Sequence, residues 1–316
     1  MGEEGHEGNW SVLIYGLSLE ASPLNLASGL ALKNLESRLT VFDLAAAGAA
    51  GFRQWAVLEP FAPACRCEIE SALDAAVMPG YDTLNRAWLV SALLTLRGFG
   101  THIGLACSSY SWSVIAGHQE RTSHVFHKQL AEEGVDAAVH ASQRELPPFR
   151  GGLLDYHLRL MVEKDARHGP VTQEDASWIR QHFETFNNLA SESEQFRFAL
   201  EAAVDWRYGK DPRAAIARIW SGIEAIFGIT SELVFRISLL ASAVLTPRGA
   251  DRKQRFDAIK KLYGVRSKAV HGERLSSDLL SQAMNDSYQL LRDLLLLTVE
   301  KGRPLSDNDF DAAVFG

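Results

Sequence analysis

The stretch Arg-Ser-Lys-Ala-Val-His-Gly at residues 266–272 sets a guanidinium and an imidazole five positions apart. An imidazole changes charge near neutral pH and so can take or give a proton during a reaction. A guanidinium is always charged and offers a planar fork of donors to phosphate or carboxylate oxygens. Such a pair suits a reaction in which a proton moves while negative charge builds on an oxygen. Spacing alone does not single this pair out. Arg97/His102, Arg121/His127 and Arg150/His157 have the same Arg-x4–6-His form.

Context separates the four. Arg150/His157 adjoins ELPPFRGG (145–152), a Pro- and Gly-rich stretch that reads as a domain boundary. Arg121/His127 lies in a polar segment without clear period, and Arg97/His102 brackets Gly98 and Gly100 in a helix-to-strand turn. Arg266/His271 lies inside a basic window. Residues 248–274 hold nine Lys or Arg against three acids, a net of +6, which leaves −13 for the rest of a chain whose total is −7. A local basic stripe on an acidic protein suits phosphate binding at one place, and it equally suits a solvated helix face. Gly272 reads as the residue that ends the motif helix in a left-handed conformation. Five residues turn about 140° beyond one revolution, so the two side chains do not stack as an i, i+4 pair does. Cations in the last turn of any helix also satisfy its free carbonyls, which is the purely structural reading of the same residues.

The elements that must position these residues fall into two halves. Residues 10–17, 38–44, 54–59, 65–70, 102–107 and 112–117 are short β-rich runs separated by Gly, Pro, Ser and Asn. One helix, 82–96, is predicted among them with Asp82 as its N-cap, and AAAGAAG (45–51) reads as either a loop or a tight helix. This gives an α+β domain over 1–150 with a mainly antiparallel sheet. From 151 to 316 helical period dominates, as five or six helices with short loops. Thr172 opens the first, 191–208 follows, Asp211-Pro212 starts the next and Gly228 stops it. Ser231 to Leu245, the basic helix through Val270, Ser276 to Val299 and a last turn capped by Ser306 complete the set.

Composition narrows the rest. With 47% hydrophobic and 22% charged residues the chain can bury a sizeable core. Three cysteines make no disulfide framework and fit a reducing compartment. Cys65 and Cys67 form a C-x-C without a second pair at zinc spacing and read as structural, so no metal or cofactor is expected. The opening MGEEGHEGNW is acidic and lacks an apolar run, His6 breaks the myristoylation pattern, and no apolar stretch reaches spanning length. A cytoplasmic protein with no membrane partner is expected. No P-loop, dinucleotide fingerprint, H-E-x-x-H or G-x-S-x-G elbow is present.

Three segments in order, RFALEAAVDW (197–206), ARIWSGIEAIFG (217–228) and KKLYGVRSKAVHG (260–272), resemble the HEPN superfamily, and within it the ApeA-like branch. The resemblance spans roughly residues 172–300. It implies a HEPN-type helical bundle that pairs as a homodimer and cleaves RNA without metal where two Arg-x4–6-His motifs meet. It also implies a role in phage defence or a toxin–antitoxin pair, with a protein trigger or antitoxin as partner. The pattern lands on Arg266 and His271 as catalytic residues. Ser267 follows the arginine where active members often carry Asn, Asp or His, and a serine hydroxyl still hydrogen-bonds phosphate. Glu224 reads as a group that orients Arg266 or His271, or as a buried structural acid. Tyr263 reads as core with its hydroxyl at the cleft. Lys260, Lys261 and Lys268 are candidate RNA contacts, or solvated surface lysines. Trp220 reads as packing. The alternative to a nuclease is a non-catalytic HEPN module that dimerises or binds RNA, with a protein-binding N-terminal domain.

Overall fold

The computed structural model describes residues 9–40, 43, 58–72, 83–109, 111–117, 151–153, 160–229 and 232–316. The expectations for Asp82, Ser231, residues 45–51, Arg121/His127, Arg150/His157 and most of the 145–152 stretch lie outside them. The chain forms two compact units. The first draws on Met1–Ser91, Thr101–Tyr156 and His168–Gln181, the second on Ala92–Gly100, His157–Arg167 and His182–Gly316.

Among the described residues the first unit is built on six strands: β1 (Trp10–Tyr15), β2 (Leu24–Ala27), β3 (Leu30–Asn34), β4 (Cys67–Ser71), β5 (Ile103–Ser108) and β6 (Gly151–Leu153). Their order across the sheet is β2-β3-β4-β1-β5-β6, and every neighbouring pair is antiparallel. β1 is central, and Ser11 through Ile14 are buried on it without alternation, so both of its faces are covered. The β2–β3 hairpin turns at Gly29, whose φ of +66° favours glycine.

The expected strand 112–117 takes another form, as do the described residues of 54–59 and of 38–44, where the Asp43 N–H donates to the Thr40 carbonyl at 3.1 Å in a turn. Residues 112–117 begin with a helical turn, α2 (Trp112–Ile115), after the helix α1 (Thr83–Leu96) and β5. The buried Glu68 carboxylate explains this, because it accepts from the Ser111 hydroxyl and from the Trp112 N–H at 2.7 Å and thereby fixes a helix start. Burial pushes the Glu68 carboxyl above the ordinary glutamate range, against the pull of these hydrogen bonds. Leu58 and Glu59 enter a turn, closed by the Phe61 N–H on the Leu58 carbonyl at 2.9 Å, that leads to a 3₁₀ turn at Ala62–Ala64. Pro60 and Pro63 set this apart from a strand.

The second unit is helical. Its elements include part of α3 (Gln173–Glu192), then α4 (Glu194–Asp205), α5 (Pro212–Phe227), α6 (Leu233–Leu245), α7 (Ala250–Val270), α8 (Ser277–Lys301) and α9 (Asp307–Phe315). The expected segment 191–208 is divided. Ser193 accepts from the Phe196 N–H and caps α4, and Trp206–Tyr208 tighten into a 3₁₀ turn. Asp211 accepts from the N–H groups of Arg213 and Ala214 at 2.8 and 3.0 Å, Pro212 opens α5, and Gly228 closes it at φ +61°.

α5 is the centre of this unit and packs against α4, α7 and α8. Ile216, Ile219, Trp220, Ile223 and Phe227 are its buried row. Gly222 permits the close approach, since a Cβ there would stand 2.7 Å from that of Ala202. Trp220 is fully buried, donates from Nε1 to Ser287 on α8 at 2.9 Å, and meets the Tyr263 ring edge-on at 5.0 Å. Among the described residues, no helix is long and apolar enough to cross a membrane. The chain is thus α+β with an antiparallel sheet in its N-terminal part and a helical assembly beyond it.

Candidate functional site

α7 carries the motif. Of its 21 residues only Ile259, Tyr263 and Ala269 are buried, so the helix is seated along a narrow stripe, with Leu262, Val265, Arg266 and Ser267 among the half-buried residues beside it. Tyr263 and Arg266, three positions apart, face α5. The Arg266 Nη2 lies 3.0 Å from Glu224 Oε1, and both side chains retain about a quarter of their exposure, 23% each. The guanidinium also sits 5.3 Å from the centre of the Tyr263 ring. The ion pair is close without being aligned as a hydrogen bond. Among the described residues, Glu224 Oε1 and Arg266 Nε are buried with no hydrogen-bond partner. Burial raises the Tyr263 hydroxyl above the ordinary tyrosine range, Arg266 opposes this and Glu224 adds to it. The hydroxyl therefore stays protonated at neutral pH.

His271 is the C-terminal cap of α7, and Gly272 follows at φ +75°. The Gly272 N–H donates to the Ala269 carbonyl at 3.3 Å and the Glu273 N–H to that of Lys268 at 3.0 Å. This pair of bonds closes a helix on a left-handed glycine, as the spacing predicts. Arg213, at the start of α5, adds a clamp: its Nη1 donates to the Ala269 carbonyl at 2.9 Å and its Nη2 to that of Glu273 at 2.6 Å. Sequence reasoning passed over Arg213. The only available signal was a cation just after a helix-opening Pro, and that position says nothing of a distant carbonyl. Replacing Arg213 with alanine is expected to cost about 1 kcal/mol, below the full value of two charged hydrogen bonds because the group is partly solvated. Amide exchange at His271–Arg274 should quicken with it. Unchanged exchange there would show that the clamp does not order this turn.

The basic window divides by use. Arg248 and Arg252 donate to the carbonyls of Val314 and Ala313, Lys253 pairs with Asp257, Arg255 pairs with Asp293, and Arg266 pairs with Glu224. Lys260, Lys261, Lys268, Arg274 and His271 are exposed, and none makes a side-chain hydrogen bond or ion pair among the described residues. At 100° per residue Lys260, Lys261 and Lys268 fall within an arc of about 100° on α7, and His271 ends the same face. Ser267 is half-buried beside that arc, and its carbonyl accepts from the His271 N–H at 3.0 Å.

One chain therefore does not join the two principal residues. Arg266 turns to Glu224 while His271 faces solvent, and no hydrogen bond or ion pair links them among the described residues. A cavity of about 700 Å³ lies between α7 and α8, lined by apolar Ile259, Leu262 and Val265 and by charged Lys261, Asp286 and Asp293, and neither Arg266 nor His271 borders it. Of the other Arg-x4–6-His matches, His102 is fully buried with Nε2 2.7 Å from the Ser91 hydroxyl. The thiols of Cys65 and Cys67 are buried and pushed up to about 12 by desolvation, so they are protonated at neutral pH. Among the described residues, no group of three or more His, Cys, Asp or Glu is placed to hold a metal ion. Against this geometry, no protein-family model, no curated protein and no solved structure matches the chain.

Proposed function

We propose that this protein is a metal-independent endoribonuclease of the HEPN type, cytoplasmic and homodimeric through its helical domain, in a phage-defence or toxin–antitoxin setting with a protein trigger or antitoxin. The observation that carries this reading is the exposed face of Lys260, Lys261 and Lys268 on α7, without side-chain partners among the described residues, that ends at His271 on the same helix that holds Arg266. A polyanion is the ligand such a face suits. RNA adds a hydroxyl beside each phosphate that needs only a base to become a nucleophile.

In the proposed reaction His271 takes the 2′-OH proton as the 2′-oxygen attacks phosphorus. The P–O5′ bond breaks, and a protonated His271 of a second copy gives its proton to the leaving 5′-oxygen. The products are a 2′,3′-cyclic phosphate and a 5′-OH. Arg266 neutralises charge on the phosphoryl oxygens through the part of its guanidinium that stays exposed. Glu224 orients that guanidinium, and Tyr263 supports it from below. Two copies are required by this scheme because one chain points its Arg266 and His271 in different directions.

The test is incubation of the protein with single-stranded RNA in excess chelator, followed by end-group analysis. Cyclic-phosphate and 5′-OH ends support the reading. Cleavage abolished by chelator, or products with 5′-phosphate, would overturn it. A second reading, a HEPN module that binds RNA or dimerises without turnover and whose N-terminal domain binds a protein, is favoured by the hold of Glu224 on Arg266. It predicts RNA binding with no cleavage under any of these conditions.

A further inference from the structure

Gly264 stands in the middle of α7, where the packing of the described residues gives no reason for a glycine. Of the two glycines inside helices among the described residues, Gly222 is explained by the approach of Ala202. Gly264 is different. Its φ is not positive, and among the described residues a Cβ placed on it would meet nothing within 4 Å. A helix-interior glycine weakens a helix relative to alanine, so the position carries a cost that folding does not explain.

Its surroundings suggest an explanation. Lys260 and Lys261 lie one turn before it, Ser267 and Lys268 one turn after it, and His271 two turns after it, on the same side. The three lysines are exposed cations without a side-chain partner among the described residues, His271 is exposed beside them, and the acid nearest them on this face, Asp257, is held by Lys253 at 2.6 Å. The missing side chain leaves a bare strip of helix backbone at the centre of this ring.

We propose that Gly264 is where the sugar–phosphate backbone of single-stranded RNA lies against α7, with flanking phosphates on Lys260, Lys261 and Lys268 and the next linkage delivered toward His271. The inference rests on the ribonuclease reading and adds the path of the substrate. Charge decides between RNA and a second copy as the occupant. A two-fold contact centred on Gly264 would set the same lysines against one another, whereas a phosphate chain is complementary to them.

The experiment compares Gly264→Ala, Gly264→Gln and Lys268→Ala with wild type by thermal melting, sedimentation and the anisotropy of a labelled single-stranded RNA. Both Gly264 variants should fold, and Gly264→Ala should melt about 2–4 °C higher. RNA affinity should fall, by about tenfold for the bulkier glutamine, the size of a loss near 1.4 kcal/mol. Unchanged affinity in Gly264→Gln, alongside a loss in Lys268→Ala, would overturn this path and leave the ribonuclease reading standing. Absence of RNA binding by wild type would overturn both. Loss of self-association in Gly264→Gln with RNA affinity intact would assign the surface to a second copy and overturn the path.

Discussion

Replacing His271 with alanine is expected to lower RNA cleavage by about 10²–10⁴-fold, the usual contribution of a positioned general acid or base, while leaving the fold in place. His271 is exposed, holds no hydrogen bond or ion pair through its side chain among the described residues, and serves the helix end through backbone. Surface substitutions of this kind usually change stability by less than about 0.5 kcal/mol. A melting curve superimposable on wild type, with RNA affinity kept within a few fold, would place the loss in chemistry. His271→Asn keeps polarity and size but cannot shuttle a proton at neutral pH, so it should be as inactive as alanine. Cleavage by either variant at the wild-type rate, with chelator present, would remove His271 from the reaction.

Trp220→Ala is expected to cost about 3–5 kcal/mol, the range for emptying a large aromatic site in a packed core. The side chain is fully buried and bonded to Ser287, and it supports Tyr263 on the motif helix. Its removal leaves three faults: a cavity on α5, an unpartnered hydroxyl on α8, and a Tyr263 without its edge contact. Because Tyr263 underlies the Arg266 guanidinium, α7 should loosen before the rest of the unit. Denaturant unfolding measures the first effect and hydrogen exchange along α7 the second. Trp220→Phe should recover part of the packing and none of the Ser287 bond. A loss below about 1 kcal/mol for alanine would contradict the central place given to Trp220.

The helical part of the fold was legible because its signals are local. Asp211-Pro212, Gly228, Ser276, Ser306 and Gly272 each mark an end by chemistry within a few residues, and each marks one in the structure. The β-rich part was less so. Trp112–Ile115 has a strand-like composition, and it is helical because Ser111 caps it locally and Glu68, 43 to 45 positions away in sequence, accepts from its first residues. β2 and β3 were missed because Leu and Ala in LNLASGLALKN carry no β preference. The hairpin depends on Gly29 and on pairing with β4. At the candidate site, sequence placed Arg266, Tyr263 and His271 near a helix end. It did not give the direction each faces, because α7 exposes most of its circumference. Nor could it tell which cations are spent internally, since those partners, Val314, Ala313 and Asp293 among them, are distant in sequence.

The turn that carries His271 is restrained on both sides, by Arg213 on the carbonyls of Ala269 and Glu273 and by the N–H bonds that close α7. With the main chain fixed, the imidazole explores space through two torsions only. Its tip then sweeps a small volume around one point in place of a loop's full range. The local concentration of base offered to any group held at that point is correspondingly high, and little motional freedom is left to lose when it engages. A rate measured with free imidazole in place of the missing side chain would give that concentration directly, as the molarity of added base needed to equal the intact chain.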